Sequence, residues 1–178
     1  MYLDVVLRPV EMEDLDEEYF AWYDNADGHL NYFTGSNRKF TREVIIEDFK
    51  LGLSSERWFY FLITTNLGVK IGTVKIGPID KKNKTSDLVC LIGNRKFLGK
   101  SLGTLAISKA IEIAFKQFDI RRLQSGMIAD NTSSIKSYVK AGWYVEGIMK
   151  GYYWIDGKNV DRVSVACLNP KYFDDEVH

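Results

Sequence analysis

The stretch IGNRKFLGKSLGTLA, residues 92–106, decides the fold because it joins a predicted strand to a predicted helix through a loop that contains glycine. The apolar run at residues 85–93 is typical of a strand, and small and apolar residues at helical spacing predict a helix from Thr104 to Phe118. Free backbone N–H groups and the helix dipole favour an anion at such a helix N-terminus. The loop therefore predicts a site for a phosphate group.

The tripeptide Gly99-Lys100-Ser101 is also the end of a nucleotide-binding P-loop, whose full motif is GxxxxGK[ST]. Asn94 stands where that motif requires its first glycine, and Gly93 lies one residue too far from Gly99. The strand-like runs before the loop follow one another without helices between them, which predicts antiparallel pairing. P-loop domains are instead parallel and doubly wound. A diphosphate carried by another ligand fits the sequence better, and a P-loop nucleotide binder is kept as an alternative.

The other strands and helices can be predicted from the sequence on either side of this loop. A strand ends at Pro9, a hairpin turns at Asn66-Leu67-Gly68, and a last hairpin turns at Asp156-Gly157. The other predicted helices run from Glu11 to about Asn25, from a cap at Thr41 to about Leu53, and from about Thr132 to Lys140. The order β-α-α-β-β-β-α-β-α-β-β predicts an α/β fold with a mixed, mostly antiparallel sheet and about four flanking helices.

Composition bounds the function classes. The chain has 178 residues, which suits one domain covering 1–178. Lys plus Arg is 24 and Asp plus Glu is 24, so no long-range field attracts nucleic acid or anionic lipid. Two cysteines without CxxC spacing and two histidines predict no metal site. The N-terminus lacks the pattern of a signal peptide and no apolar run is long enough to span a membrane, so a cytoplasmic protein is expected.

Two motifs carry a resemblance to a known family. Residues 98–103, LGKSLG, fall on the acetyl-CoA signature Q/R-x-x-G-x-G/A at the start of a helix, with Leu98 and Ser101 as departures. Residues 130–163 look like the pattern N-x-x-[AS]-x-x-x-Y-x-K-x-G-[FW] followed by a Tyr/Trp-rich hairpin. With the opening strand and helix, the chain resembles the GNAT N-acetyltransferases over nearly its whole length. It is most similar to the group that includes ribosomal-protein alanine and aminosugar N-acetyltransferases.

The resemblance implies transfer of an acetyl group from acetyl-CoA, as co-substrate, directly to a primary amine without a metal. The strand at 88–93 and the strand at 123–129 would splay apart and hold the pantetheine, and the loop amides would hold the pyrophosphate. The residues implied to contact the coenzyme are Leu91, Ile92, Leu98, Gly99, Lys100, Ser101, Leu102, Gly103, Thr104, Asn131 and Ser134. Asn131 is equally typical of a helix N-cap, whatever the ligand.

The resemblance implies that Tyr138 is the general acid that protonates the departing thiolate, and the pKa values of a phenol, ~10, and a thiol, ~8.5, are close enough to be compatible with this role. A tyrosine that only packs on the sheet remains the alternative. Asp87 is the first candidate for the base that takes the proton from the ammonium, and a solvated carboxylate at the end of a strand is its alternative. Glu146 and Asp24 are weaker candidates, and ordered water is an alternative to any single base.

The acceptor amine is where the sequence is least informative. Its site is expected to lie between the loop at residues 29–40 and the last hairpin, with Tyr32, Phe33 and Tyr153 as candidate contacts. Aromatic and polar groups favour a small amine such as a nucleotide-linked aminosugar, and the basic residues near Arg42 would bind its diphosphate. A protein N-terminus is the alternative acceptor, a non-catalytic acyl-CoA-binding relative is the alternative function, and a homodimer is possible.

Overall fold

A seven-stranded sheet forms the centre of the computed structural model, which describes residues 3–24, 30–32 and 40–173. Its strand order is β1-β2-β3-β4-β5-β7-β6. Neighbouring strands are antiparallel except β4 and β5, which are parallel. The strands are β1 (Val5–Pro9), β2 (Phe59–Thr65), β3 (Lys70–Asp80), β4 (Thr85–Ile92), β5 (Arg122–Ile128), β6 (Tyr144–Ile155) and β7 (Lys158–Leu168). The predicted fold class and element order are confirmed.

Four α-helices flank the sheet in the described residues, and local capping sets where they begin. They are α1 (Glu17–Ala21), α2 (Arg42–Ser55), α3 (Leu102–Gln117) and α4 (Thr132–Lys140). The Thr41 hydroxyl accepts a hydrogen bond from the Val44 amide, and the Asn131 side chain accepts one from the Ser134 amide. These two caps are the ones that the sequence predicts.

The prediction of one continuous helix from Glu11 to about Asn25 is wrong. A 3₁₀ turn at Met12–Asp14 comes first, and α1 begins only at Glu17. The Asp16 carboxylate accepts a hydrogen bond from the Tyr19 amide at 3.0 Å, so it caps a new helix and does not continue the old one. Residues 25–29 lie outside the described part of the chain.

Helices pack on both faces of the sheet and enclose two apolar clusters. α3 and α4 cover the larger cluster, which includes Leu88, Leu102, Ala110 and Tyr138. α1 and α2 cover the smaller one, which includes Tyr19 and Phe49. Across the described residues, no helix has the length and apolar character needed to cross a membrane.

The parallel pair β4–β5 positions the site. Pairing between these strands extends only from Thr85–Arg122 to Asp87–Gln124, although β4 continues to Ile92 and β5 to Ile128. Beyond Asp87 the two strands are no longer paired with each other, so backbone groups of β4 face a gap. The side of β4 that faces β3 remains paired as far as Ile92. The predicted splay of these two strands is therefore present.

Candidate active site

A cleft of 520 Å³ opens where β4 and β5 diverge. One end is formed by β4, the loop before α3 and the start of α4. The other end is formed by α1, α2, β2 and β3 on the opposite face of the sheet. Predicted coenzyme contacts that line the cleft are Leu91, Ile92, Leu98, Gly103, Asn131 and Ser134, and Tyr138 lines it as well.

The loop before α3 has the backbone shape of an anion cradle. Gly99 has a φ of 73°, and Ser101, the N-cap of α3, has a φ of 59° and a ψ of 8°. Both residues are in the left-handed region that glycine tolerates best. The Ser101 side chain makes no capping hydrogen bond, so it caps none of the first backbone amides of α3. A diphosphate fits this cradle, because the amides and the helix dipole complement its charge.

The serine at position 101 is the less favourable residue for this conformation, in agreement with its departure from the glycine of the signature. The helix starts at Leu102, two residues before the predicted start at Thr104. Lys100 lies with its ammonium 5.1 Å from the centre of the Phe97 ring. The loop therefore holds one cation close to the helix N-terminus.

Asn131 and Ser134 reach the cleft from the first turn of α4. The Asn131 carbonyl oxygen accepts a hydrogen bond from the Ser134 amide at 3.2 Å, so Asn131 caps the helix as well as lining the cleft. Both sequence interpretations of Asn131 are compatible with this geometry. Ser134 is half-buried and lines the cleft at the same point.

Tyr138 lies at the point where the strands part. Its side chain is 3% exposed, and its hydroxyl donates a hydrogen bond of 2.9 Å to the carbonyl oxygen of Leu88. Leu88 is the first residue of β4 after the last pair with β5. Burial, aided by the nearby Cys90 thiol, raises the pKa of Tyr138, against a hydrogen bond with Ser125. The group is therefore a protonated phenol, and its single O–H is donated to the backbone at the point where the strands part.

Asp87 belongs to the last β4–β5 pair, opposite Gln124. Burial raises the pKa of its carboxyl group, while a hydrogen bond with Gln124 and the positive charges of Arg162 and Lys75 lower it. Because Lys75 pairs with Val89, Asp87 and Lys75 share one face of the sheet. Asp87 does not itself line the cleft of the described residues. Its position in the strand is the last one before the gap.

Glu146, one of the weaker base candidates, is already paired with another side chain. Its carboxylate accepts hydrogen bonds of 2.7 and 2.5 Å from the Arg122 guanidinium. This paired geometry and the resulting lower pKa of Glu146 make it a poor base.

Of the three predicted acceptor contacts, the structure describes two, Tyr32 and Tyr153, and it does not bring them together. Tyr32 lines the cleft. Phe33 lies outside the described residues. Tyr153 is on β6, paired with Val160 at the edge of the sheet, and its ring packs edge-on against Tyr152. It is not among the described residues that line the cleft.

Apart from Tyr32, the far end of the cleft contains residues that sequence reasoning did not assign to the site. Tyrosine and phenylalanine side chains form much of this wall, and one carboxylate and one ammonium lie among them. The Asp48 carboxylate accepts hydrogen bonds from the Tyr60 hydroxyl and, at 3.4 Å, from the Lys75 ammonium. The wall consists of Tyr19, Tyr23, Leu30, Tyr32, Phe40, Val44, Ile45, Asp48, Phe49, Tyr60, Thr73 and Lys75.

A sequence signal for this wall exists in one place. Lys75 stands alone among apolar residues in β3, and a lone charge in a buried strand normally has a specific partner. Its partner Asp48 is 27 residues away, on α2. No local pattern connects the two, so only the fold shows that they meet.

Comparison with known proteins agrees with this geometry. The model of the acetyltransferase (GNAT) domain matches residues 4–143. The chain is 24% identical to the uncharacterized N-acetyltransferase p20 of Bacillus licheniformis, over 94% of each protein. It is 26% identical to the spermidine N(1)-acetyltransferase of Escherichia coli K12, over 94% of this chain and 88% of that protein.

Among solved structures, the chain is similar to the Vibrio cholerae spermidine N-acetyltransferase in complex with CoA and spermine. The TM-score is 0.82 at 18% identity, with 95% of this chain and 98% of the other covered. This likeness concerns the fold.

The chain therefore belongs to the GNAT acetyltransferase domain family. It is an acetyl-CoA-dependent N-acetyltransferase, and acetyl-CoA is its co-substrate. The gap between β4 and β5 and the cradle at the start of α3 are where the pantetheine and the diphosphate of such a coenzyme are expected. The narrower resemblance to ribosomal-protein alanine or aminosugar acetyltransferases is not established by these matches.

Proposed function

We propose that the acceptor is a primary amine on an aliphatic chain, the chemical class to which polyamines belong. The observation that carries the proposal is the way in which the cleft already holds an alkylammonium group. The Lys75 ammonium lies 4.7 Å from the centre of the Trp58 ring, 5.1 Å from that of Tyr60, and 3.4 Å from the Asp48 carboxylate. Aromatic faces and a carboxylate are the groups that recognise alkylammonium ligands.

The relatives support the same class. The Escherichia coli and Vibrio cholerae proteins are named as spermidine acetyltransferases. The aromatic character of the wall extends beyond Lys75 to Tyr19, Tyr23 and Tyr32, which leaves room for further contact with an aliphatic chain. A diphosphate-linked aminosugar is less well supported, because Arg42 is paired with Glu17 and lies over the Phe20 ring. Arg38 and Lys39 lie outside the described residues.

The reaction needs four events, and we infer roles for residues of this chain in two of them. The ammonium loses a proton, the resulting amine nitrogen bonds to the acetyl carbon, the carbon–sulfur bond breaks to release the thiolate, and the nitrogen loses its second proton to water. We assign the first to Asp87, directly or through water, because the pKa of that half-buried carboxyl group is raised towards a value useful for a base. We assign stabilisation of the thiolate to the Tyr138 hydroxyl.

A comparison of the pKa of Tyr138 with that of the leaving thiol indicates how Tyr138 acts. A free thiol has a pKa of ~8.5 and a free phenol ~10, and burial raises the pKa of Tyr138 further. Full proton transfer from the phenol to the thiolate is therefore unfavourable. Tyr138 acts chiefly as a hydrogen-bond donor to the developing charge, and solvent supplies the proton after the thiolate leaves.

The test is a comparison of acceptors with one enzyme preparation. Acetyl-CoA is supplied with n-pentylamine, spermidine, a uridine-diphosphate aminosugar or a short peptide with N-terminal alanine, and free thiol and acetylated product are both measured. We expect kcat/KM for at least one of the two aliphatic amines to exceed that for the other acceptors by tenfold or more. A preference for the aminosugar or the peptide would contradict the proposal.

A further inference from the structure

We propose that Lys75 is a specificity-determining residue, whose ammonium occupies the carboxylate site at the acceptor end of the cleft and so disfavours a second ammonium there. This inference rests on the proposed function, because it takes aliphatic amines as acceptors. It goes further by stating which charge pattern the enzyme selects within that class.

The first step is that the Asp48 site is built and held in place. Trp58 donates a hydrogen bond from its indole nitrogen to the backbone carbonyl of Asp48 at 3.1 Å, which fixes α2 against the start of β2. A Cβ added to Gly52 would lie 2.4 Å from that indole nitrogen, so the helix has glycine where the ring approaches closely. The Asp48 carboxylate is therefore presented by a rigid support.

The second step is that the negative charge of the Asp48 carboxylate is already balanced by the Lys75 ammonium of the same chain. The Lys75 and Asp48 side chains are 27% and 25% exposed, so both are largely withdrawn from water. The Tyr60 hydroxyl donates to the same carboxylate oxygen as Lys75. Burial and this hydrogen bond raise the pKa of Tyr60, which keeps it a donor. An incoming ammonium would have to displace Lys75 or meet its charge.

The third step is distance. Lys75 on β3 pairs with Val89 on β4, which is adjacent to Leu88 at the point where the strands part. Neighbouring strands lie about 4.8 Å apart, so the backbone of Lys75 is one strand spacing from Val89, which is next to the residue that the Tyr138 hydroxyl contacts. The far nitrogen of a short diamine reaches about this distance from its reacting nitrogen. Lys75 therefore occupies the place where a second ammonium would otherwise be bound.

The experiment uses two acceptors of equal size, n-pentylamine and 1,4-diaminobutane, which differ by a methyl group in place of an ammonium. The measured quantity is the ratio of kcat/KM for the diamine to kcat/KM for the monoamine. Lys75→Met should raise this ratio about 10- to 100-fold, the effect expected from one hydrogen bond between charged groups. Because the charge of Lys75 also lowers the pKa of Asp87, a change in the base affects both acceptors and cancels in the ratio.

Three variants make the result specific. Lys75→Arg keeps the charge and should keep the wild-type ratio. Lys75→Gln removes the charge with a polar group in place, should raise the ratio as Lys75→Met does, and serves if the methionine variant does not fold. In the double variant Asp48→Asn with Lys75→Met, the rise should disappear, because the carboxylate that would bind the second ammonium is gone.

The outcomes separate the two claims. A ratio that stays within twofold of wild type in both uncharged variants, while n-pentylamine is still acetylated, overturns the role of Lys75 and leaves the proposed function intact. A rise that persists without the Asp48 carboxylate overturns it as well. If the wild-type enzyme acetylates neither amine, the proposed function fails and the inference fails with it.

Discussion

At the scale of single residues, burial decides what a side chain can do in this cleft. Tyr138 and Asp87 lie on either side of the point where β4 and β5 part, and burial raises the pKa of both. For the phenol, the shift keeps the proton on the oxygen and makes it a hydrogen-bond donor. For the carboxyl group, the same shift makes the carboxylate a stronger base. One environment therefore favours opposite roles in two neighbouring residues.

Tyr138→Phe tests the donor role. We expect kcat to fall about 10- to 100-fold, because one hydrogen bond to a developing charge is worth ~1.5–3 kcal/mol. The dissociation constant for CoA, measured by calorimetry, should change by less than about threefold. A variant that keeps the wild-type kcat would show that Tyr138 serves only packing and its bond to Leu88.

Asp87→Asn tests the base through pH. The pKa of this carboxyl group is raised in the folded protein, so its carboxylate form is lost as pH falls through a value above the usual range for Asp. In the wild type, log kcat/KM should fall with one additional unit of slope below that pH. The asparagine variant should be slower and should lack the additional slope. An unchanged profile in the variant would assign the proton transfer to water.

At the scale of elements, the start of α3 combines a turn and a binding surface. Ser101 holds a left-handed conformation that costs a residue with a side chain ~1 kcal/mol or more. Gly103 is different, because a Cβ there would meet the Ile92 side chain at 3.6 Å, an ordinary contact. Glycine at position 103 is therefore not required by the packing of the described residues, in agreement with the signature, which allows alanine there.

Gly103→Ala should separate stability from binding. Alanine in a helix is favoured over glycine by ~0.5–1 kcal/mol, so the melting temperature should rise slightly. The dissociation constant for CoA should change by less than about threefold, because the signature allows alanine at this position. Gly103→Leu is the contrasting variant and should raise that constant at least tenfold, because its larger side chain lies on the cleft. Ser101→Gly is the matched control, with near-normal binding of CoA. Unchanged affinity in Gly103→Leu would mean that the diphosphate does not approach this turn.

At the scale of the whole molecule, the sequence predicts what local chemistry determines. Asn131 and Gly142 mark the two ends of α4, and the predicted range Thr132 to Lys140 matches the helix. The element order is also readable, because each strand and helix has its own period. The break before α1 could not be predicted in this way. An aspartate within an acidic helix and an aspartate that caps a new helix cannot be told apart from the sequence.

The residues at the far end of the cleft could not be predicted from the sequence for a different reason. Asp48, Tyr60 and Lys75 belong to α2, β2 and β3, and they meet only because Tyr60 and Lys75 are paired in register beneath the helix. Tyr153 shows the converse, since its aromatic character predicts a contact that its position on the edge strand does not provide in the described structure. The predicted homodimer stays a prediction.

The most direct test of the central claim, that the coenzyme occupies the gap between β4 and β5 with its diphosphate at the start of α3, is amide hydrogen exchange with and without CoA. We expect slower exchange at residues 88–92 and at the first amides of α3, Leu102 to Thr104, and little change on β6 and β7. Protection confined to other elements, with none at the start of α3, would contradict this account of the site.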